Sequence, residues 1–167
     1  MVKVSSSQFN YTYNNETRFP YSIGCLVAYL KTKSDLAKKF EFQETFVFRN
    51  KVQEYIERSR DSDIFIGSCY AWNWEITKFL AEEIKKINPE CLIVLGGPQV
   101  PNHSDKFFEK HPYVDIIVHG EGEYILANIF EEYLKDRDFS KIKGLERWLT
   151  FKGINSEKRY FPSSTIK

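Results

Sequence analysis

Two short segments have the composition of ligand-contacting loops: Leu95-Gly96-Gly97-Pro98-Gln99 and His119-Gly120-Glu121-Gly122-Glu123. Each follows a short apolar run that reads as a buried strand. Glycine beyond a strand end lets a large ligand reach the backbone, because no Cβ intervenes. Gly120 and Gly122 also allow a tight turn into a helix, which frees the backbone N–H groups of Glu121, Gly122 and Glu123 for a phosphate or an amide. Glu121 and Glu123 have a second role open to them, since carboxylates at a helix N-terminus complement its dipole. Ser68 ends another apolar run with a hydroxyl, and Cys69 and Tyr70 come next. Tyr70, Trp72 and Trp74 offer flat faces that either cover a planar ligand or pack a helix onto the sheet.

Other chemistry is excluded by what the chain lacks. No acid–base or nucleophilic pair stands in suitable company, so no catalytic residue and no protein metal ligand is assigned. Cys25, Cys69 and Cys91 are odd in number and contain no Cys-x-x-Cys pair, which suits reduced thiols rather than a disulfide frame or a zinc site. His103 and His111 flank a short helix as solvated residues, whereas His119 ends a strand on the ligand edge and reads as a polar wall residue. The segment Ser5 to Tyr13, taken as the first loop, has no Gly-x-Gly-x-x-Gly turn for a dinucleotide. With 24 basic and 23 acidic residues the net charge is +1, so no global field recruits nucleic acid or an anionic membrane. No apolar run approaches the roughly 20 residues needed to cross a bilayer, and no signal-peptide pattern opens the chain, which places it in the cytoplasm. Two sequons, at Asn15 and Asn102, carry no meaning without secretion.

The elements that must position these loops follow from hydrophobic periodicity. Ile64–Gly67, Leu92–Leu95, Val114–Val118 and Glu44–Phe48 are continuous, branched runs typical of strands covered on both faces. Helical patterns lie between them: 20–30, 51–59, 74–87, 104–110 and 123–133, with Pro89 and Pro112 as stops. The alternation predicts an α/β fold, a doubly wound, flavodoxin-like (Rossmann-like), mainly parallel five-stranded sheet with flanking helices. Residues 1–138 form this domain, and residues 139–167 read as a C-terminal β-hairpin extension, pairing 148–151 with 158–161, followed by a linker. At 167 residues one domain of this type can bury about 70% of its unfolded surface.

Four blocks, in order and suitably spaced, give a resemblance. Phe19-Pro20-Tyr21-Ser22-Ile23-Gly24 with Ala28-Tyr29-Leu30, Asp63 to Ser68, Pro89 to Pro98, and Val114 to Glu123 resemble the cobalamin-binding domain found N-terminal to many radical S-adenosylmethionine enzymes. The resemblance implies a corrinoid over the carboxyl edge of the sheet with its nucleotide tail beside the strands. Ser68, Cys69, Tyr70, Gly96, Gly97, Pro98, Gln99, His119, Gly120, Glu121, Gly122 and Glu123 would then contact the cofactor. It also implies a non-catalytic module that positions cobalamin for a radical domain acting in cis or in trans, as in methyl transfer. S-adenosylmethionine and the iron–sulfur cluster would belong to that partner domain, because its Cys-x-x-x-Cys-x-x-Cys motif does not occur here.

The chain departs from the broader cobalamin-binding pattern at one place. Many such proteins carry Asp-x-His-x-x-Gly after the first strand, with the histidine as lower ligand of cobalt. Here Ser5-Ser6-Ser7-Gln8-Phe9-Asn10 stands there instead. Binding would therefore rely on shape and backbone contacts. Two other readings stay open: a degenerate fold serving as scaffold or interaction domain, and a nucleotide- or flavin-binding α/β domain.

Overall fold

The computed structural model describes residues 1–14, 16–102, 105–150 and 158–161. Asn15, His103, Ser104, residues 151–157, where the turn is expected, and residues 162–167, where the linker is expected, lie outside the described residues. The parallel strands are β1 (Val2–Ser7), β2 (Phe40–Phe42), β3 (Ile64–Ser68), β4 (Leu92–Gly96) and β5 (Ile116–Val118). Two antiparallel strands, β6 (Leu145–Thr150) and β7 (Lys158–Phe161), continue the same sheet. The order β2-β1-β3-β4-β5-β6-β7 carries the flavodoxin-like 2-1-3-4-5 core.

Period-2 alternation divides the strand side chains between two cores. Val4, Ile64, Ile66, Leu92, Val94, Ile116 and Val118 face helices α1 (Tyr21–Thr32) and α6 (Gly122–Tyr133). Phe65, Ile93, Leu95 and Ile117 face α3 (Val52–Arg58), α4 (Trp74–Ile87) and α5 (Asp105–Lys110). A four-residue helix α2 (Ser34–Ala37) joins α1 to β2. Each helix puts its apolar stripe on one sheet face, as its 3.6-residue period demands.

Three local expectations shift. The second strand is Phe40–Phe42, and the expected run at 44–48 contributes only a parallel bridge between Phe46 and Ser7. Ser5, Ser6 and Ser7, taken as loop, lie inside β1, buried in the middle of the sheet. Ladder bonds, not side-chain apolarity, hold this segment, and Ser6 Oγ lies 3.1 Å from Thr45 Oγ1. The hairpin begins at Leu145, three residues before the expected start, because Val118 pairs with Leu145 and Ile117 with Glu146.

The amino edge of the sheet is fastened by one buried carboxylate. Asp115 Oδ2 accepts from the Ile93 backbone N–H and from Lys85 Nζ, each at 2.8 Å, and Lys85 also donates to the Cys91 carbonyl at 2.7 Å. This joins the end of α4 to β4 and β5. Asp115→Ala leaves the Lys85 ammonium and the Ile93 N–H without that acceptor, and is expected to cost about 3 kcal/mol of unfolding free energy. Urea denaturation checks this, and Asp115→Asn should recover part of the loss.

A second, pH-dependent term comes from His111. Its Nδ1 lies 2.9 Å from the Tyr113 hydroxyl and its ring packs 4.5 Å from Phe107. Burial first, and the nearby Lys78 charge second, hold the imidazole below its ordinary 6.5. The unfolded chain therefore takes up a proton near 6.5 while the folded one does not, so this contribution is complete above that pH and is lost as pH falls below it. Urea midpoints measured from about pH 7.5 to about pH 5.5 should drop less steeply in His111→Asn than in the unsubstituted protein.

Candidate functional site

The carboxyl ends of β3, β4 and β5 carry a cavity of about 360 Å³, bounded by α1 on one side and α6 on the other. Register sets its depth. Ser68 pairs with Gly96, and Gly96 with Val118, forming the row nearest the carboxyl edge; Ile66 pairs with Val94 one pleat deeper. Gly96 leaves a gap in the first row, and a Cβ there would stand 3.4 Å from Val118 Cβ. The walls are Tyr21, Ser22, Cys25 and Leu26 of α1, and Gly122, Glu123 and Leu126 of α6.

The loop after β3 is held firmly at the cavity mouth. Asn73, fully buried, donates through Nδ2 to the Ser68 carbonyl at 2.9 Å and to the Phe9 carbonyl at 3.3 Å, and its Oδ1 accepts from the Tyr70 N–H at 2.8 Å. Tyr70 stacks on Trp72 with 4.6 Å between ring centroids, and its hydroxyl lies 2.6 Å from Ser22 Oγ. Arg49 donates to the Trp72 carbonyl and lies 4.6 Å over the Tyr11 ring, so three loops meet at one guanidinium. Exposed Tyr11, Phe19, Tyr21, Phe48, Trp72 and Tyr124 give the carboxyl edge an aromatic rim.

Of the residues expected to contact a cofactor, Ser68, Tyr70, Gly96, Gly97, Pro98, Gly120, Gly122 and Glu123 line the cavity. The structure does not bring Cys69, Gln99, His119 or Glu121 to it. Cys69 points into the opposite core, where burial raises its thiol pKa and its Sγ–H donates to the Gly67 carbonyl at 3.5 Å. His119 follows Val118 and so faces the other side of the sheet, with Nε2 3.8 Å from Glu146 Oε1 and its backbone N–H bonded to Gly144. Gln99 and Glu121 are exposed. Gly97 has an intramolecular reason to be glycine: at φ +113° its added Cβ would stand 2.5 Å from the Cys69 carbonyl oxygen.

The α1 wall escaped the sequence reading. Ser22 with Leu26, and Tyr21 with Cys25, are i, i+4 pairs, so they share one helix face. That spacing was the available signal. At the head of α1, the Ile23 N–H donates to Gln8 Oε1 at 3.2 Å, which uses Gln8 to hold the helix start. Among the described residues no group of His, Cys, Asp and Glu could hold a metal ion, and no helix is long and apolar enough to cross a membrane.

Residues 36–130 match the family model described as B12 binding domain. The chain is 36% identical over 133 residues to the cobalamin-dependent radical SAM methyltransferase TokK of Streptomyces tokunonensis, covering 78% of this chain and 20% of that protein. It is 36% identical over 127 residues to the 2-(S-pantetheinyl)-carbapenam-3-carboxylate methyltransferase of Streptantibioticus cattleyicolor, covering 75% and 19%. The chain thus spans about a fifth of the length of these curated relatives. Its fold is similar to that of the cobalamin-dependent S-adenosylmethionine radical enzyme OxsB with aqua-cobalamin bound, at TM-score 0.69 and 19% identity over 99% of this chain and 23% of that one. It is also similar to the radical S-adenosylmethionine methyltransferase TsrM of Kitasatospora setae with cobalamin and a [4Fe-4S] cluster bound, at TM-score 0.64 and 19% identity over 89% and 29%. The family match begins after α1, so the α1 wall of the cavity lies outside the matched residues.

The cavity can be probed by its own thiol. Cys25 is half-buried, whereas Cys69 and Cys91 are buried and burial pushes both thiols up, Cys91 to about 12. Iodoacetamide at neutral pH should therefore modify Cys25 alone in the folded protein, with all three labelled only after denaturation. Peptide mass spectrometry reads the sites.

Proposed function

The chain belongs to the B12-binding domain family, and from that premise we propose that its cavity takes the nucleotide tail of a corrinoid and presents the ring to a radical S-adenosylmethionine domain, in cis or in trans. The observation that carries this reading is the missing side chain at Gly96 between Ser68 and Val118, which leaves a slot at the carboxyl edge that a single Cβ would begin to fill. The family match favours this over a scaffold or a flavin-binding domain.

A bound corrinoid supplies a cobalt centre able to carry a methyl group. This chain's residues contribute position. Ser68 offers a hydroxyl at the slot edge, and Gly96, Gly97 and Pro98 form one side without blocking it. The first N–H groups of α6, from Gly122 and Glu123, lack acceptors within the helix and would serve as donors, and the Glu123 carboxylate would accept from a sugar hydroxyl. The Tyr70–Trp72 stack gives a flat surface beside the mouth for the macrocycle.

Retention rests on shape and these polar contacts, without a protein ligand to cobalt from the loop after β1. Gln8 stands in that stretch and is already bonded to the head of α1. Residues 1–138 hold the cofactor, and a partner domain binds S-adenosylmethionine and the cluster. Methyl transfer is the reaction class the relatives' names suggest for the whole protein.

Mixing the purified protein with hydroxocobalamin, desalting it and recording the visible spectrum tests the reading. A retained corrinoid spectrum near one per chain is expected, and Gly96→Val should lower affinity at least about tenfold by narrowing the slot. The substituted protein's circular dichroism must match the parent's for that comparison. A colourless desalted parent protein overturns the proposal.

A further inference from the structure

The loop after β3 and the head of α1 meet at the cavity through two hydroxyls. Tyr70 Oη lies 2.6 Å from Ser22 Oγ, and both side chains line the cavity. We infer that this contact is a gate: the Tyr70 side chain, latched to Ser22, stands across the entrance, swings aside to pass a ligand and closes again behind it. The inference rests on the corrinoid reading above and deepens it, because it concerns how that site is entered and left.

Both ends of the latch sit on fixed backbone. The Tyr70 N–H donates to Asn73 Oδ1 at 2.8 Å, and the same buried amide holds the Ser68 and Phe9 carbonyls. On the other side, the Ile23 N–H donates to Gln8 Oε1 at 3.2 Å, one residue beyond Ser22. Opening therefore falls to the Tyr70 side chain. What holds that side chain is weak: one neutral hydrogen bond, and a stack at 4.6 Å on Trp72, itself 44% exposed. Tyr70 is half-buried, so rotation about its side-chain bonds can hand the hydroxyl to water, which replaces Ser22 as its partner. Closure has its own driving force. Apolar Ile66 and Val94 lie on the cavity lining one pleat below Ser68 and Gly96, and a ring across the entrance shields them from water. A side chain that opens at small cost and recloses sets the rates of entry and exit together.

Stopped-flow mixing of the full chain with hydroxocobalamin, followed by quenching of tryptophan fluorescence, gives the association rate, and recovery of fluorescence on dilution gives the release rate. Tyr70→Phe keeps the ring and its stack but removes one hydroxyl of the latch; Ser22→Ala removes the other. Each should raise both rates by about fivefold, the counterpart of one neutral hydrogen bond, so that Kd moves less than either rate. The double variant should be no faster than the singles, because both substitutions break the same contact. Circular dichroism checks folding, and Ser22→Ala alone decides if Tyr70→Phe does not fold. A hydroxyl that only touches the ligand, or only supports the fold, leaves association unchanged while release rises. Association rates within twofold of the parent in the folded variants overturn the inference and leave the corrinoid reading standing. A parent protein that shows no binding overturns both.

Discussion

The backbone of Gly97 lies against the backbone of Cys69, and the site depends on that contact. The Cys69 N–H donates to the Gly96 carbonyl at 2.7 Å, and the Gln99 N–H returns a bond to the Cys69 carbonyl at 3.2 Å. Two loops that leave neighbouring strands are thereby held at one height above the sheet. Only a residue without Cβ fits between them at this separation. The loop after β3 is fixed a second time by Asn73, which reaches Phe9 beyond β1 and Ser68 at the end of β3. With its mouth pinned by backbone and buried amide contacts, the cavity is largely formed before any ligand arrives, which lowers the ordering cost of binding.

The opposite wall is set by helix packing instead. Gly122 opens α6 where α1 passes, and a Cβ on it would stand 3.1 Å from Leu26 Cδ2. Small size at Gly122 thus brings the two helices together, while Gly120, with φ +79° and open space around it, serves the turn into α6. The glycines that look alike in sequence have four different jobs: a gap at Gly96, a backbone contact at Gly97, helix approach at Gly122 and a turn at Gly120. Composition points to the loops, but only the packing separates these roles.

Much of the fold was legible because the central strands are buried on both faces and so are apolar without interruption. Ile64–Gly67 and Leu92–Leu95 could hardly be anything else, and the five-strand parallel core follows from their alternation with helices. β1 hid behind Ser5, Ser6 and Ser7, whose burial no hydropathy pattern announces. β2 hid among scattered phenylalanines: Phe40, Phe42, Phe46 and Phe48 lie in one stretch, and the edge position requires only a short ladder on one side. The site was legible at its glycine loops and not at α1, since helix walls repeat at three to four residues and read as ordinary core pattern. His119 shows the opposite lesson. Its placement was decidable from strand parity, because Val118 faces the cavity and adjacent strand residues face opposite sides.

On the proposed reading, the origin of the cavity walls bears on how the cofactor is held. Every wall of the cavity comes from this chain: three strand ends, two helices and the loops pinned by Asn73 and Arg49. The tail end of a cofactor can therefore be held by these residues alone. Above the cavity the surface changes, and Tyr11, Tyr21, Trp72 and Tyr124 leave aromatic area in solvent around the mouth. Burying that area needs a partner surface or the macrocycle itself, and apolar burial at about 25 cal/mol per Å² makes either favourable. Holding the tail within one folding unit while leaving the reactive face outside it lets position be fixed here and reactivity be supplied from elsewhere.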